Sequence, residues 1–177
     1  MDSGSTESYI HPTCFANLGG EIKRHKLESI SETELAYIAG FFDGEGTVGV
    51  YARKARARNK SYWSLYIIIS QVNPIPLIKI RDLFGGGIYS APQKTPTGEE
   101  AKLIWKWTIS DRKAEYFLRN IIDYLIVKKE EATLALAFMD IPRKQGKPAS
   151  EQNLIRKENI SNRIKELKKQ EWATLPM

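Results

Sequence analysis

The sequence predicts an α+β fold, elements in the order α-ββ-α-ββ-α-α-α, built on an antiparallel sheet. Three observations predict it. Runs rich in β-branched and aromatic residues come in two pairs, 47–53 with 62–72 and 88–91 with 102–109. A segment with helical character precedes each pair. Helical patterns alone follow the second pair.

Residues 1–30 are polar, then basic at Lys23, Arg24, His25 and Lys26, and read as a partly ordered N-terminal extension. Ser31 with Glu34 forms an S-x-x-E capping box. Leu35, Ile38, Phe41 and Phe42 then recur at helical spacing, which predicts a helix over 32–42. Asp43-Gly44-Glu45-Gly46 is expected to end it, with glycine supplying the cap and turn. TVGVYAR (47–53) reads as a strand, KARARNK (54–60) as a basic loop and YWSLYIIISQV (62–72) as a second strand. Pro74 and Pro76 open a helix that runs to Phe84, and Gly85-Gly86-Gly87 terminates it. Residues 88–91 form a short third strand, 92–100 a turn, and KLIWKWTI (102–109) a fourth strand. Asp111 is expected to cap the next helix, where Ala114, Phe117, Leu118, Ile121, Ile122 and Leu125 trace one apolar stripe. A helix over 129–141, the loop PRKQGKP and a polar helix over 150–170 complete the chain. The last helix has only a thin stripe, Leu154, Ile160, Ile164 and Leu167. There is no internal repeat, so one αββαββ unit spans 31–141, and 142–177 is expected to pack on that same domain.

The chain has 177 residues and a formal charge of +6, which favours an anionic partner. Cys14 is the single cysteine and His11 and His25 the only histidines, so a Cys/His zinc cluster is excluded. No stretch approaches the roughly 18 apolar residues of a membrane span, so no membrane partner is expected. The first twenty residues lack a basic start and an apolar run, so they do not read as a secretory signal. The expected location is therefore intracellular: cytoplasm, nucleoid or the interior of an organelle.

The informative segment is LAYIAGFFDGEG, Leu35 to Gly46. Ala36, Gly40 and Gly44 are spaced by four, so a helix sets these small residues on one face, open to close approach by another backbone. Intrachain packing is the plain alternative. Asp43 and Glu45 fall at a helix C-terminus, which already carries partial negative charge. A divalent cation reverses that conflict, and carboxylates with water suit magnesium. Asp43 serves equally as a cap for backbone groups. No other acid occurs between Gly46 and Arg81, where Arg53, Lys54, Arg56, Arg58, Lys60, Lys79 and Arg81 stand. An acidic pair beside a long basic sheet is what metal-assisted phosphodiester hydrolysis needs.

At these residues the chain resembles the LAGLIDADG homing endonucleases. Ile38-Ala39-Gly40-Phe41-Phe42-Asp43-Gly44-Glu45-Gly46 aligns with the nine-residue family motif without a gap. The resemblance extends over about 32–141 through the order of elements. Gln71 ending the second strand, Phe84-Gly85 closing the middle helix and Lys128 before a helix add to it. It implies an αββαββα fold whose curved antiparallel sheet binds double-stranded DNA. It also implies a magnesium-dependent DNA endonuclease, manganese or calcium occupying the site in vitro. Glu45 and Gly44 become the metal-binding positions, and Glu45, Gln71 and Lys128 the catalytic set. Gln71 as a surface residue and Lys128 as a solvated helix start are the plain alternatives. A basic residue that some relatives place shortly after the Gln has no match in the apolar stretch Val72 to Leu77; Lys79 or Arg81 is the candidate substitute.

One motif copy implies a homodimer, with Ala36, Ala39, Gly40, Asp43 and Gly44 in its interface and a near-palindromic target. Strand alternation assigns the DNA contacts. Thr47, Gly49, Tyr51 and Arg53 come from the first strand, and Lys54, Arg56, Arg58 and Lys60 from the loop. Tyr62, Ser64 and Tyr66 come from the second strand, Ser90 from the third, and Lys102, Lys106 and Thr108 from the fourth. The expected function is intron-encoded, double-strand cleavage. An RNA-binding maturase, with intron RNA as partner, and a non-catalytic DNA-binding regulator are the alternatives on the same scaffold.

Overall fold

The structure, a computed structural model, describes residues 30–54, 61–94, 100–142 and 149–169. Within these, the side chains of Lys54, Ser61, 91–94 and 100–102 are not described. Nearly all of the expected extension 1–30, most of the basic loop, the core of the 92–100 turn and most of PRKQGKP lie outside the described residues.

Helix α1 spans Glu32–Glu45. The capping box forms: the Glu34 backbone N–H donates to Ser31 Oγ at 3.3 Å, and the Ser31 backbone N–H donates to Glu34 Oε2 at 3.3 Å. The helix runs three residues beyond the expected end at Phe42. No left-handed glycine cap stops it, because Gly46 is extended at φ −83° and passes directly into a strand. Glycine is required there for another reason: a Cβ at Gly46 would lie 2.1 Å from the Phe42 ring.

Strands β1 (Gly46–Lys54) and β2 (Ser61–Gln71) pair antiparallel, Gly46 opposite Ile69. Helix α2 (Ile75–Phe84) leads into β3 (Gly87–Lys94) and β4 (Glu100–Ser110). Strand β3 is longer than expected and accommodates Pro92 because it is an edge strand with a register shift there. The sheet order is β1-β2-β4-β3, so β1 is the other edge. Helix α3 (Asp111–Ile121) follows β4 directly. Asp111 does not cap it; its carboxylate accepts from the Ser64 hydroxyl at 3.1 Å, and Ser110 holds the cap position. A 3₁₀ turn (Ile122–Tyr124), α4 (Lys129–Met139) and α5 (Glu151–Lys169) complete the fold.

Alternation divides the sheet. Val48, Val50, Leu65, Ile67, Ile69, Trp107 and Ile109 face the helices and are buried with Ile38, Phe42 and Phe84. Phe117 sits at the centre, its ring 5.2 Å from Phe42, 5.0 Å from Phe84 and 5.2 Å from Trp107. Truncating such a ring to alanine costs about 3–5 kcal/mol. The expected α3 stripe is buried from Ala114 to Leu125, with Ile122 partly covered.

Helix α5 closes the β1 edge. Ser161 Oγ donates to the Val50 carbonyl at 2.6 Å, and the Lys168 ammonium donates to the Val48 carbonyl. These two carbonyls are two residues apart, as the outward-pointing groups of an edge strand are. Of the thin α5 stripe, Ile164 is buried whereas Leu154 stays exposed.

Candidate nucleic-acid interface and hydrolytic centre

One sheet face carries the helices, so the opposite face is what remains for a ligand. The register fixes its rows. Thr47, Ile68 and Thr108 lie side by side; Ser70, Lys106 and Tyr89 form the next row toward the end of α1. Tyr51 is opposite Ser64 and Arg53 opposite Tyr62. The Arg53 guanidinium stacks 4.5 Å from the Tyr66 ring centroid. Tyr51, Tyr62 and Tyr89 are exposed. The surface thus alternates cations, hydroxyls and rings, the groups that meet phosphates and base edges.

Three expected contacts are corrected by this geometry. Ser64 is on the right face but buried, its hydroxyl held by Asp111. Gly49 is covered by the Tyr51 ring, which leaves no room for a Cβ. Ser90 and Tyr89 are both exposed, but Ser90 pairs with Trp105 and shares the strand parity of Ile88, which places it on the face opposite Tyr89. A one-residue shift in strand parity exchanges faces, and the short expected third strand left that parity open. Arg56, Arg58 and Lys60 lie outside the described residues, and the side chains of Lys54 and Lys102 are not described.

The end of α1 stands beside this face. Asp43 Oδ2 accepts the backbone N–H of Ile126 at 2.7 Å and of Val127 at 3.2 Å; Oδ1 accepts that of Lys128 at 2.9 Å. The Lys128 ammonium returns to donate to the Asp43 carbonyl. Asp43 is therefore engaged within its own chain, tying the loop before α4 to the motif helix. Its carboxylate is thereby committed inside the protomer, whatever the residue's backbone meets. Ala39 is a correction to the expected dimer interface: it is fully buried in the chain's own core. Ala36, Gly40 and Gly44 are exposed, and a Cβ at Gly40 or Gly44 would meet nothing within 4 Å. Tyr37 and Phe41 flank them as a stacked pair, centroids 6.3 Å apart.

Glu45 is exposed at the last position of α1. With Asp43 committed, the Glu45 carboxylate is the acid of the motif that no hydrogen bond or ion pair among the described residues engages. Carbonyls of a final helical turn lack intrahelical partners, and Asp43's already receives Lys128. The Gly44 carbonyl and the Glu45 carboxylate make an all-oxygen donor set of the type hard divalent cations prefer. Among the described residues, one chain brings together no group of three or more His, Cys, Asp or Glu. Gln71 ends β2, two residues past the partner of Gly46, level with this end of α1. Its Oε1 accepts the Val72 N–H at 2.8 Å, and no hydrogen bond among the described residues joins it to Glu45.

Sequence reasoning passed over Glu131 and Lys168, which face the same corner. Burial raises the Glu131 pKa, opposed by Lys168 and then Lys128, while Asp43 adds to the rise. Burial lowers the Lys168 pKa, Glu131 opposes, and Lys128 adds to the fall. Only the helix–helix packing of α4 and α5 assembles this group, so no local pattern marks it.

No protein-family model matches the sequence, and no curated protein matches it. Solved structures do match. The homing endonuclease I-CvuI in complex with its target is 17% identical, with a TM-score of 0.61 over 81% of this chain and 87% of that one. The archaeal intron-encoded homing endonuclease I-Vdi141I, complexed with DNA, is 19% identical, with a TM-score of 0.61 over 81% and 89%. The I-LtrWI LAGLIDADG homing endonuclease bound to target DNA is 19% identical, with a TM-score of 0.51 over 86% of this chain and 49% of that one. The class is therefore an α+β fold with an open antiparallel sheet. In particular, the chain has the fold of the LAGLIDADG homing endonucleases. No helix among the described residues is long and apolar enough to cross a membrane.

Proposed function

We propose that this protein is a metal-dependent DNA endonuclease of the LAGLIDADG homing type, acting as a homodimer on a long, near-palindromic duplex. The observation that carries the reading is the exposed Glu45 at the end of a helix whose small-residue face is open, next to a cationic, tyrosine-rich sheet surface. Two copies related by a two-fold axis bring two Glu45 side chains together and double the sheet surface. That this chain spans about half of I-LtrWI supports two copies where that protein has one longer chain.

Glu45 and Gly44 would hold magnesium, which supplies charge stabilisation at the scissile phosphate and lowers the pKa of water. Asp43 holds the loop that delivers Lys128, and the Lys128 ammonium stands at the same helix end, ready to offset developing negative charge. Gln71 supplies an amide for orienting water. The sheet positions the duplex through Arg53, Lys106 and the exposed tyrosines. An intron-encoded origin accompanies this reading, as the archaeal neighbour is intron-encoded, and an intracellular setting goes with it.

The test uses the intron-minus insertion region of the protein's own gene, incubated with magnesium and scored for linear product. Wild type should cut both strands. Glu45→Gln should abolish cutting while binding stays near wild type or tightens, because a negative charge facing phosphate is removed. Cutting at the normal rate by Glu45→Gln would refute the assignment. Tight binding to intron RNA with no duplex cleavage would favour the maturase reading instead.

A further inference from the structure

Lys128 needs a fixed position, and its own contacts give only part of one. Its ammonium reaches the Asp43 carbonyl from the first position before α4. Three residues on, on the first turn of α4, stands Glu131, and residues so spaced lie on one helix face. Glu131 Oε2 is buried and has no hydrogen-bond partner among the described residues. Glu131 itself is half-buried, and a shielded, unpartnered carboxylate oxygen is costly unless cations offset its charge. Two do so here: Lys168 and Lys128 both stabilise its charge, Lys168 the more strongly.

Lys168 comes from the far end of α5, a segment outside the motif-bearing unit. It is held by the Val48 carbonyl on β1, three residues after Glu45. Neighbouring contacts fix the helix that delivers it. Ser161 is hydrogen-bonded to Val50 at 2.6 Å, and Arg163 pairs with Glu130 of α4 at 3.0 Å. The two ammonium groups are held on the Val48 and Asp43 carbonyls, and the Glu131 carboxylate interacts electrostatically with both.

We propose that Lys168 and Glu131 are positioning residues for the phosphodiester chemistry at the end of α1, α5 acting through Glu131 to set the Lys128 ammonium. This rests on the endonuclease reading above. It also accounts for the missing basic residue after Gln71: the second cation at this corner comes from α5 rather than from α2. Lys79, the candidate substitute on α2, is instead paired with Glu34 at 3.2 Å, and Arg81 with Asp82 at 2.7 Å.

The test compares wild type, Lys168→Met, Lys168→Arg, Glu131→Gln, Lys128→Met and the double variant Lys128→Met/Lys168→Met. Single-turnover cleavage of the duplex that wild type cuts is measured with magnesium, alongside duplex affinity and Tm. Lys168→Met should cut roughly tenfold slower at unchanged affinity, as expected for coupled neighbours. Lys168→Arg should restore most of the rate, and the double variant should be no slower than Lys128→Met. A Lys168→Met rate equal to wild type overturns the proposal, as does a double variant whose losses multiply. A fall in affinity in place of rate also overturns it, since that marks a phosphate contact. If Lys168→Met does not fold, Glu131→Gln decides: a similar loss of rate supports the proposal and a normal rate overturns it. Wild type that cuts no duplex sinks the endonuclease reading and this proposal together. Wild-type cutting with a normal Lys168→Met rate sinks this proposal alone.

Discussion

Asp43 and Lys128 hold each other at both ends: the Asp43 carboxylate accepts the Lys128 backbone N–H, and the Lys128 ammonium donates to the Asp43 carbonyl. Residues 85 positions apart in sequence thus become one rigid corner. Asp43→Ala leaves the N–H groups of Ile126, Val127 and Lys128 without this partner, and hydrogen bonds to charged acceptors are the stronger kind. The expected loss is about 2–3 kcal/mol of folding stability. Cleavage should fall further than stability explains. Chemical denaturation with cleavage rates below the transition checks both; unchanged values in both would remove Asp43 from this role.

Gly40→Leu separates assembly from folding. A Cβ added at this exposed position meets nothing within 4 Å in the protomer, and leucine is the better helix former by about 0.5–1 kcal/mol. Protomer stability should hold or rise, while close helix–helix approach is blocked. Light scattering should report a wild-type dimer and a Gly40→Leu monomer. A wild-type monomer that binds DNA as a monomer contradicts the proposed assembly.

Duplex binding should weaken steeply with salt, with a log–log slope of roughly −0.9 for each phosphate neutralised. Arg53→Ala with Lys106→Ala should flatten that slope by up to about four units if both protomers use both cations. A salt titration measures it. A wild-type slope near zero would take the sheet out of the DNA interface.

Acid should act on the start of α1. Hydrogen bonds from Lys79, then Ser31, hold the Glu34 carboxyl below its ordinary value of 4.5. A depressed acid pKa stabilises the fold above the unfolded value, and that contribution is lost as pH falls through the folded value. Glu34→Gln should therefore be less stable than wild type at neutral pH, with the gap closing below about pH 4.5. Tm against pH for both proteins checks this; a gap independent of pH would mean that the charge is not what matters.

The sequence by itself determined the element order, the strand alternation and the identity of the motif helix. Those rest on local patterns: Ser31 and Glu34 three apart, the alternating apolar residues from Leu65 to Ile69, and the small residues four apart at Ala36, Gly40 and Gly44. The helix end was misplaced because the reason for Gly46 is steric contact with Phe42, not a left-handed turn. Tertiary structure alone decided which of two acids one residue apart stays unengaged among the described residues. Asp43 and Glu45 look alike in the chain, but the loop before α4 folds back and engages Asp43, leaving Glu45 exposed. It also decided that Ser64 is buried, that Ser90 lies on the face opposite Tyr89, and that Lys168 reaches the motif corner. Each of these depends on partners many residues away. Local propensity carries no information about such partners; packing of α4 and α5 against β1 creates them.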